Sequence, residues 1–159
     1  MIIEKKIVEL GLILPAEFKN PTGKAYPFSW VRVRGNHAYI SGHLPLNEDG
    51  SLAEPIGKVG SDLSLEEGKQ AARLVALSML SSLKRELGDL DRVSAWLRAL
   101  GMVNIAPGFK QIPAIVNGFS ELIVEVYGPE RGLHSRAAVG MAELPFGVAV
   151  EVEAEVEIS

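Results

Sequence analysis

The sequence predicts an α+β fold in which two long helices cover one face of a mixed β-sheet. Apolar residues recur at helical spacing in two long segments, whereas apolar and polar residues alternate in several shorter ones. In chain order these elements form two similar halves, one with strands, a helix and a strand, the other with a helix and two strands. A chain of 159 residues, 47% hydrophobic and 23% charged, is sufficient for one such domain with one core.

The first part of the chain is predicted to contain a short helix, a loop and a β-hairpin. Over residues 2–10 the apolar residues lie three and four apart with charges between them, which is typical of an amphipathic helix. Three prolines make residues 15–27 a loop. Alternating residues then predict strands over 28–34 and 37–46, and the Gly-Asn pair at 35–36 suits a tight turn because both residues tolerate positive φ.

Residues 64–88 form the clearest predicted element, a helix of about six turns. Ser64 and Glu67 have the spacing of a capping box at its start, and Gly88 is typical of a helix end. Its apolar stripe is broad, which indicates that the helix lies on a sheet.

A strand is predicted over residues 92–105, after this helix. Strict alternation puts Ala95 and Leu97 on one face of that strand and Trp96 on the other. Residues 56–60, before the helix, suggest a further short strand.

The second half is predicted as a helix over 112–126 and two strands, 135–144 and 148–159, joined by a Pro-Phe-Gly turn. One face of the last strand is apolar and the other is acidic, with Glu151, Glu153, Glu155 and Glu157. When helices cover only one face of a sheet, the apolar part of its other face has to be buried as well, so oligomerisation is expected. The acidic stripe of the last strand indicates that the oligomer buries only part of this second face.

The composition excludes several classes of function. The net charge is −4, without a cluster of Lys and Arg, so nucleic acid is not an expected partner. Absence of cysteine excludes disulfides, thiolate nucleophiles and Cys-based metal sites, and the three histidines have no metal-ligand spacing. The charged N-terminus does not resemble a signal peptide or a membrane span, so we expect a cytoplasmic protein without a membrane partner.

Arg136 is the most informative polar residue, because it begins an otherwise apolar strand. A buried guanidinium without a partner is destabilising by several kcal/mol. Its planar fork of N–H donors suits a carboxylate, so Arg136 is either a holder of an anionic ligand or a member of a structural ion pair. Taken singly, Ser41 could be a strand hydroxyl, Asn117 a helix-surface amide and Glu151 a solvated glutamate.

Three segments group these residues: 39–46 (YISGHLPL), 135–145 (SRAAVGMAELP) and 150–154 (VEVEA). Together they resemble the signatures of the Rid/YjgF family, the reactive intermediate deaminases once called L-PSP endoribonucleases. The most specific feature is the order of arginine, apolar run, Leu-Pro and alternating Val and Glu. The resemblance divides the chain into an N-terminal helix-and-loop extension, 1–26, and a Rid/YjgF-like domain, 27–159.

The resemblance implies a chorismate-mutase-like fold of the bacillary type and a homotrimer with a barrel-like centre and clefts between subunits. Members of the Rid/YjgF family hydrolyse reactive 2-imino acids and their enamine tautomers to 2-keto acids and ammonia without a cofactor or a metal, so the resemblance implies this activity. By position, Arg136 matches the arginine that pairs with the substrate carboxylate, and Asn117 matches an asparagine lining the cleft. Glu151 matches the glutamate that manages the attacking water, and Ser41 matches the serine at the cleft, which makes these two the expected catalytic residues.

Two further positions in the implied substrate site depart from the family pattern. Phe28 stands where many members have a tyrosine, and His43 stands where a glutamine is usual. These departures indicate a divergent, longer subgroup. They leave open an alternative function, a non-catalytic protein that binds or senses small carboxylates such as 2-keto acids. An endoribonuclease, which the older family name suggests, is disfavoured by the net charge.

Overall fold

A computed structural model describes residues 1–159 and contains a five-stranded sheet and three α-helices. The helices are α1 (Ile2–Glu9), α2 (Leu65–Leu87) and α3 (Ile112–Gly132). The strands are β1 (Val31–Arg34), β2 (His37–His43), β3 (Val93–Asn104), β4 (Ser135–Met141) and β5 (Val150–Ile158). In the order β1-β2-β5-β3-β4 every neighbouring pair is antiparallel except β3 and β4, which confirms the predicted mixed sheet.

The two long helices lie on one face of this sheet. In β5 the apolar residues are buried and join residues of α2 and α3 in a single hydrophobic core. The four glutamates of β5 lie on the opposite, open face, as the alternation predicted. This face is not covered by any helix of the same chain.

Helices α2 and α3 pack closely enough for their backbones to meet at Gly118. A Cβ atom at this position would lie 2.1 Å from the carbonyl oxygen of Lys69 in α2. Because that neighbour is backbone, any side chain at position 118 would force the helices apart. The close helix pair therefore depends on a glycine at this point.

The predicted helix signals are present in the structure. The Ser64 hydroxyl accepts a hydrogen bond from the backbone N–H of Glu67, and the Glu67 carboxylate accepts one from the backbone N–H of Ser64. Gly88 ends α2 in the left-handed conformation, with φ 78°. In α3 the backbone leaves helical geometry at Gly128, just after the predicted end, before a last turn that reaches Gly132.

Two expectations about strands were wrong. Strict alternation does not hold in the first half of β3, where two register shifts against β5 make Trp96 buried and leave Leu97 half-buried. An extra residue at a bulge shifts all later side chains to the other face, and residue spacing does not reveal it. Residues 56–60 form only isolated bridges through Val59, so they are not a strand of the sheet.

The N-terminal segment packs against the rest of the chain. Ile3 and Ile7 of α1 belong to the main core. Further along, the carbonyl oxygen of Pro15 accepts a hydrogen bond of 2.6 Å from the Ser81 hydroxyl of α2. No helix of the structure combines the length and apolar character needed to cross a membrane.

Candidate functional site

The sequence-predicted site residues lie in two clusters on opposite faces of the sheet. In the β3–β4 register Arg136 is opposite Ala99, which is fully buried under the helices. In the β3–β5 register Glu151 is opposite Met102. Positions 99 and 102 are three residues apart on a regular stretch of strand, so their side chains point to opposite faces of the sheet. Arg136 therefore lies on the helix-covered face and Glu151 on the open face.

The first cluster, which we call the arginine cluster, contains Arg136, Ser120, His134 and Asn117. The Arg136 guanidinium donates through Nη1 to the Ser120 hydroxyl and through Nη2 to the Pro113 carbonyl, each at 3.1 Å. No carboxylate oxygen lies within 4.0 Å of it, so Arg136 is not part of a structural ion pair in this chain. Partial burial lowers the pKa of Arg136, and the nearby Glu121 acts in the opposite direction without forming an ion pair with it.

His134 supports Arg136 through Ser120. The Ser120 hydroxyl lies 2.9 Å from Nε2 of His134, and Nδ1 of His134 lies 2.8 Å from the Gly132 carbonyl. Because a carbonyl only accepts, Nδ1 carries the proton, Nε2 accepts from the serine, and the serine oxygen accepts from Arg136. Burial lowers the pKa of His134, and the positive Arg136 acts in the same direction, which favours this neutral tautomer.

Asn117 lies on the same side of α3 as the two groups that bind Arg136. Pro113, Asn117 and Ser120 follow the spacing of one helical face. Asn117 is half-buried. Asn117 therefore lies on the face of α3 that carries Ser120, the residue that binds Arg136 of the edge strand β4.

The second cluster, which we call the bulge cluster, contains Glu151, Ser41 and Gly42. Between Ile40 and His43 strand β2 has one residue more than its partner β5, which is a β-bulge. The Glu151 carboxylate lies over Gly42, where a Cβ atom would be 2.1 Å from Oε2. Burial raises the pKa of Glu151, and the neighbouring Glu153 raises it further. A carboxylate of this kind can take a proton from water more readily than an ordinary surface glutamate.

Ser41 lies in the bulge, next in the chain to Gly42, over which Glu151 lies. Its hydroxyl donates to the Ser29 carbonyl at 2.7 Å, and its backbone N–H donates to the Trp30 carbonyl at 3.0 Å. With its proton engaged in this way, the Ser41 oxygen still offers lone pairs to a water or a substrate N–H.

His43 contacts the bulge cluster only at the Ser41 carbonyl, and Phe28 contacts neither cluster. His43 is buried and faces α2, where Nε2 lies 2.8 Å from the Ser82 hydroxyl, and Nδ1 lies 2.6 Å from the Ser41 carbonyl. Burial lowers the pKa of His43 to about 4. Phe28 is 50% exposed in a group of aromatic residues before β1. The ring of His43 thus contacts the backbone of the bulge at Ser41, whereas Phe28 has no such contact.

The three acidic groups that approach one another elsewhere already have partners. Glu4, Asp89 and Asp91 offer oxygens within 4.8 Å of each other. The N-terminal amine lies 2.7 Å from Asp91, and the ammonium of Lys84 lies 2.7 Å from Glu4. These cations pair with two of the carboxylates, and the third, Asp89, accepts a hydrogen bond from the backbone N–H of Asp91, so the group belongs to the packing of α1.

Sequence reasoning missed Ser120, His134 and Gly42 as site residues. A serine on a helix and a glycine in a strand have ordinary packing roles, and their contacts come from distant parts of the chain. The one available signal was His134, which lies two residues before Arg136.

The fold and the two clusters define a chorismate-mutase-like α+β protein with an unneutralised arginine and a partly buried glutamate. A family model described as "YjgF/chorismate_mutase-like, putative endoribonuclease" matches residues 4–153. The chain therefore belongs to the YjgF family, as its sequence segments indicated.

Known proteins resemble the chain over nearly its whole length. Protein TCP17 of Trypanosoma cruzi is 40% identical over 157 residues, which cover 99% of this chain and 94% of that protein. The crystal structure of Atu1372 from Agrobacterium tumefaciens, of unknown function, shares 37% identity with a TM-score of 0.88, covering 99% and 93% of the two chains. E. coli TdcF with bound serine shares the fold at 18% identity and a TM-score of 0.59, covering 86% and 91%.

Proposed function

We propose that this protein hydrolyses 2-imino acids, and the enamines that tautomerise to them, to 2-keto acids and ammonia. Water adds to the imine carbon, the C–N bond then breaks, and the nitrogen leaves as ammonia while the carbon becomes a carbonyl. An imine carbon is already electrophilic, so the protein has to fix the substrate, place a water and move protons. The reaction needs neither a cofactor nor an oxidant.

The observation that carries this proposal is the unneutralised guanidinium of Arg136. Two of its five N–H groups are used by Ser120 and Pro113, which leaves donors for a ligand carboxylate. Asn117, on the same face of α3, supplies an amide that can bind the imine or its product. The arginine cluster thus suits the carboxylate end of a 2-imino acid.

Glu151 has the properties of the proton carrier in this reaction. Its raised pKa suits a group that accepts a proton from the attacking water and returns it to the leaving nitrogen. Ser41, beside it on the bulge, can hold the water or the substrate nitrogen in line. We assign catalysis to Glu151 and Ser41, and substrate binding to Arg136 and Asn117.

A complete site requires more than one copy of the chain. Arg136 and Glu151 lie on opposite faces of the sheet, so one subunit cannot direct both at a single small molecule. We propose a homotrimer in which the Arg136 edge of one subunit meets the Glu151 face of the next. His43 supports this site through the Ser41 carbonyl, whereas the role in substrate binding expected for Phe28 stays a prediction.

E. coli TdcF supports the proposed substrate class. This protein shares the fold and has been crystallised with serine, a small amino acid with a carboxylate. A 2-imino acid has the same carboxylate next to a carbon that carries nitrogen. The ligand proposed for this chain is therefore similar to serine in size and also carries a carboxylate.

The test measures decay of 2-imino acids released by an amino-acid oxidase, with semicarbazide to trap the imine that remains. We expect the protein to accelerate this decay and Arg136→Ala to lower kcat/KM about 100-fold, since a charged hydrogen-bonded pair contributes roughly 3 kcal/mol. Arg34→Ala, at an exposed arginine of β1, is the matched control and should behave as wild type. Equal rates with wild type and with Arg136→Ala would refute the assignment.

A second candidate function is binding of small carboxylates without catalysis. It is favoured by Phe28, which has no hydroxyl, and by His43, which faces α2 rather than the open face. In that case calorimetry would show that pyruvate or 2-oxobutyrate binds and depends on Arg136, while imine decay stays unchanged. RNA cleavage is disfavoured because the net charge of −4 and the acidic stripe of β5 repel a polyanion.

A further inference from the structure

A cavity of about 660 Å³ lies between residues 17–31 and the second half of α2. It lies on the helix side of the sheet, because Ser82 and Arg85 of α2 line it together with the buried Val31. Glu151 lies on the opposite face. The cavity is within the size range of small-molecule sites and belongs to neither cluster described above.

Aromatic rings form one wall of this cavity. Tyr26, Phe28 and Trp30 lie with ring centroids 5.0–5.4 Å apart, tilted or edge to face. Phe28 remains 50% exposed. Tyr26 and Trp30 are partly exposed beside it, so the group offers faces and edges on which another aromatic ring can pack.

Arg85 supplies an unneutralised cation at the same cavity. Its guanidinium donates to the hydroxyls of Ser81 and Ser82 at 2.7 and 2.9 Å, and no carboxylate oxygen lies within 4.0 Å of it. Two carboxylates, Glu17 and Glu86, line the cavity without pairing with Arg85. The remaining N–H donors of Arg85 are therefore available to an anion.

The partners of Arg85 repeat those of Arg136. Arg85 donates to Ser82, and the Ser82 hydroxyl donates to Nε2 of His43. The Nδ1–H group of His43 donates a hydrogen bond to the carbonyl of Ser41, which lies two residues earlier in the chain. The arginine cluster has the same chain of groups: an arginine, a helix serine, a histidine and the carbonyl two residues before it. In both places a guanidinium is held by neutral groups that fix its orientation and leave its charge free.

We propose that this cavity binds a small carboxylate that carries an aromatic ring. The carboxylate pairs with Arg85, and the ring packs among Tyr26, Phe28 and Trp30. This site is distinct from the one proposed for deamination, since it uses a different arginine on another part of the fold.

Calorimetric titration with 3-phenylpropanoate, which is neither an imine nor a keto acid, tests the proposal. We expect a Kd of about 1 mM or below for the wild type. Arg85→Gln should weaken binding at least tenfold, by loss of the charged pair. Arg73→Gln, at another arginine of α2, is the matched control and should bind as wild type. Tyr26→Ala should weaken the binding of 3-phenylpropanoate. The wild type should bind hexanoate, which has no ring, more weakly than 3-phenylpropanoate.

Arg136→Ala separates this site from the deaminase site. Unchanged binding of 3-phenylpropanoate by Arg136→Ala, together with its loss in Arg85→Gln, supports a second site whether or not imines are hydrolysed. Binding that is lost in Arg136→Ala but retained in Arg85→Gln would overturn the proposal. So would absence of binding at about 10 mM ligand, or equal affinity for hexanoate.

Discussion

Arg136 and Glu151 carry opposite charges that a single subunit keeps on opposite faces of its sheet. Arg136 is held by a serine and a carbonyl, and Glu151 accepts no hydrogen bond from another residue. Each side chain is partly buried without an ion-pair partner in contact with it, which is destabilising for the isolated chain. Groups of this kind are concentrated at functional sites, where a bound ligand completes them.

Replacement of Glu151 by glutamine tests this description of the residue. Because its pKa is raised, the folded protein holds the Glu151 proton to a higher pH than the unfolded chain, and stability is lost as the pH rises through that interval. Glu151→Gln should therefore raise Tm at neutral pH, and the difference from wild type should vanish below about pH 4, where both side chains are neutral. Differential scanning calorimetry at several pH values measures this.

Glu153→Gln is the control for that experiment. Glu153 is exposed, so its replacement should change Tm less than Glu151→Gln does, through relief of its repulsion of Glu151. A Glu151→Gln variant that is less stable than wild type at neutral pH would show that Glu151 has a favourable partner in the folded protein.

At the scale of elements, local signals predicted the helices and strands, and long-range contacts decided the details. The capping box at Ser64 and the glycine at 88 are interactions within a few residues, so the sequence contains them. The bulges in β2 and β3 depend on the pairing with β5, which no local pattern specifies. For the same reason Trp96 was assigned to the wrong face.

In the candidate site, too, the sequence predicted which residues matter but not the long-range contacts that they make. Family spacing was sufficient to select Arg136, Asn117, Ser41 and Glu151. It could not show that Ser120 and His134 support Arg136, since these contacts depend on how α3 packs against β4. Nor could it show that His43 faces α2, because the bulge in β2 directs that side chain.

The contact of α2 with α3 at Gly118 gives a prediction about an element. Gly118→Ala places a methyl group against the Lys69 carbonyl, and backbone cannot move as a side-chain tip can. We expect a loss of about 2 kcal/mol or more in the free energy of unfolding, and a fall in Tm of roughly 4–8 °C. Glu121→Ala removes an exposed ion pair with the same Lys69 and should be destabilising by less than about 1 kcal/mol. Equal effects of the two changes would contradict close backbone packing.

At the scale of the whole molecule, the open face of the sheet explains why a single subunit is incomplete. Helices cover one face, and the other has Tyr39 and Val139 exposed at 46% and 37% beside the acidic stripe. The β4 strand, which contains Arg136, is an edge of the sheet. A closed ring of subunits would cover apolar parts of the open face and bring the arginine edge of each copy to the glutamate of another.

Complementation between two inactive variants tests this arrangement most directly. Arg136→Ala and Glu151→Gln are co-expressed with different affinity tags, and hybrid oligomers are isolated and assayed for imine decay. In a trimeric ring in which each site takes Arg136 from one subunit and Glu151 from the next, every hybrid trimer keeps about a third of its sites intact, because one of its three junctions joins the two unchanged residues. We predict that each variant alone is nearly inactive and that the isolated hybrid oligomers regain about a third of wild-type activity. Mixed oligomers no more active than the separate variants would contradict a site shared between subunits.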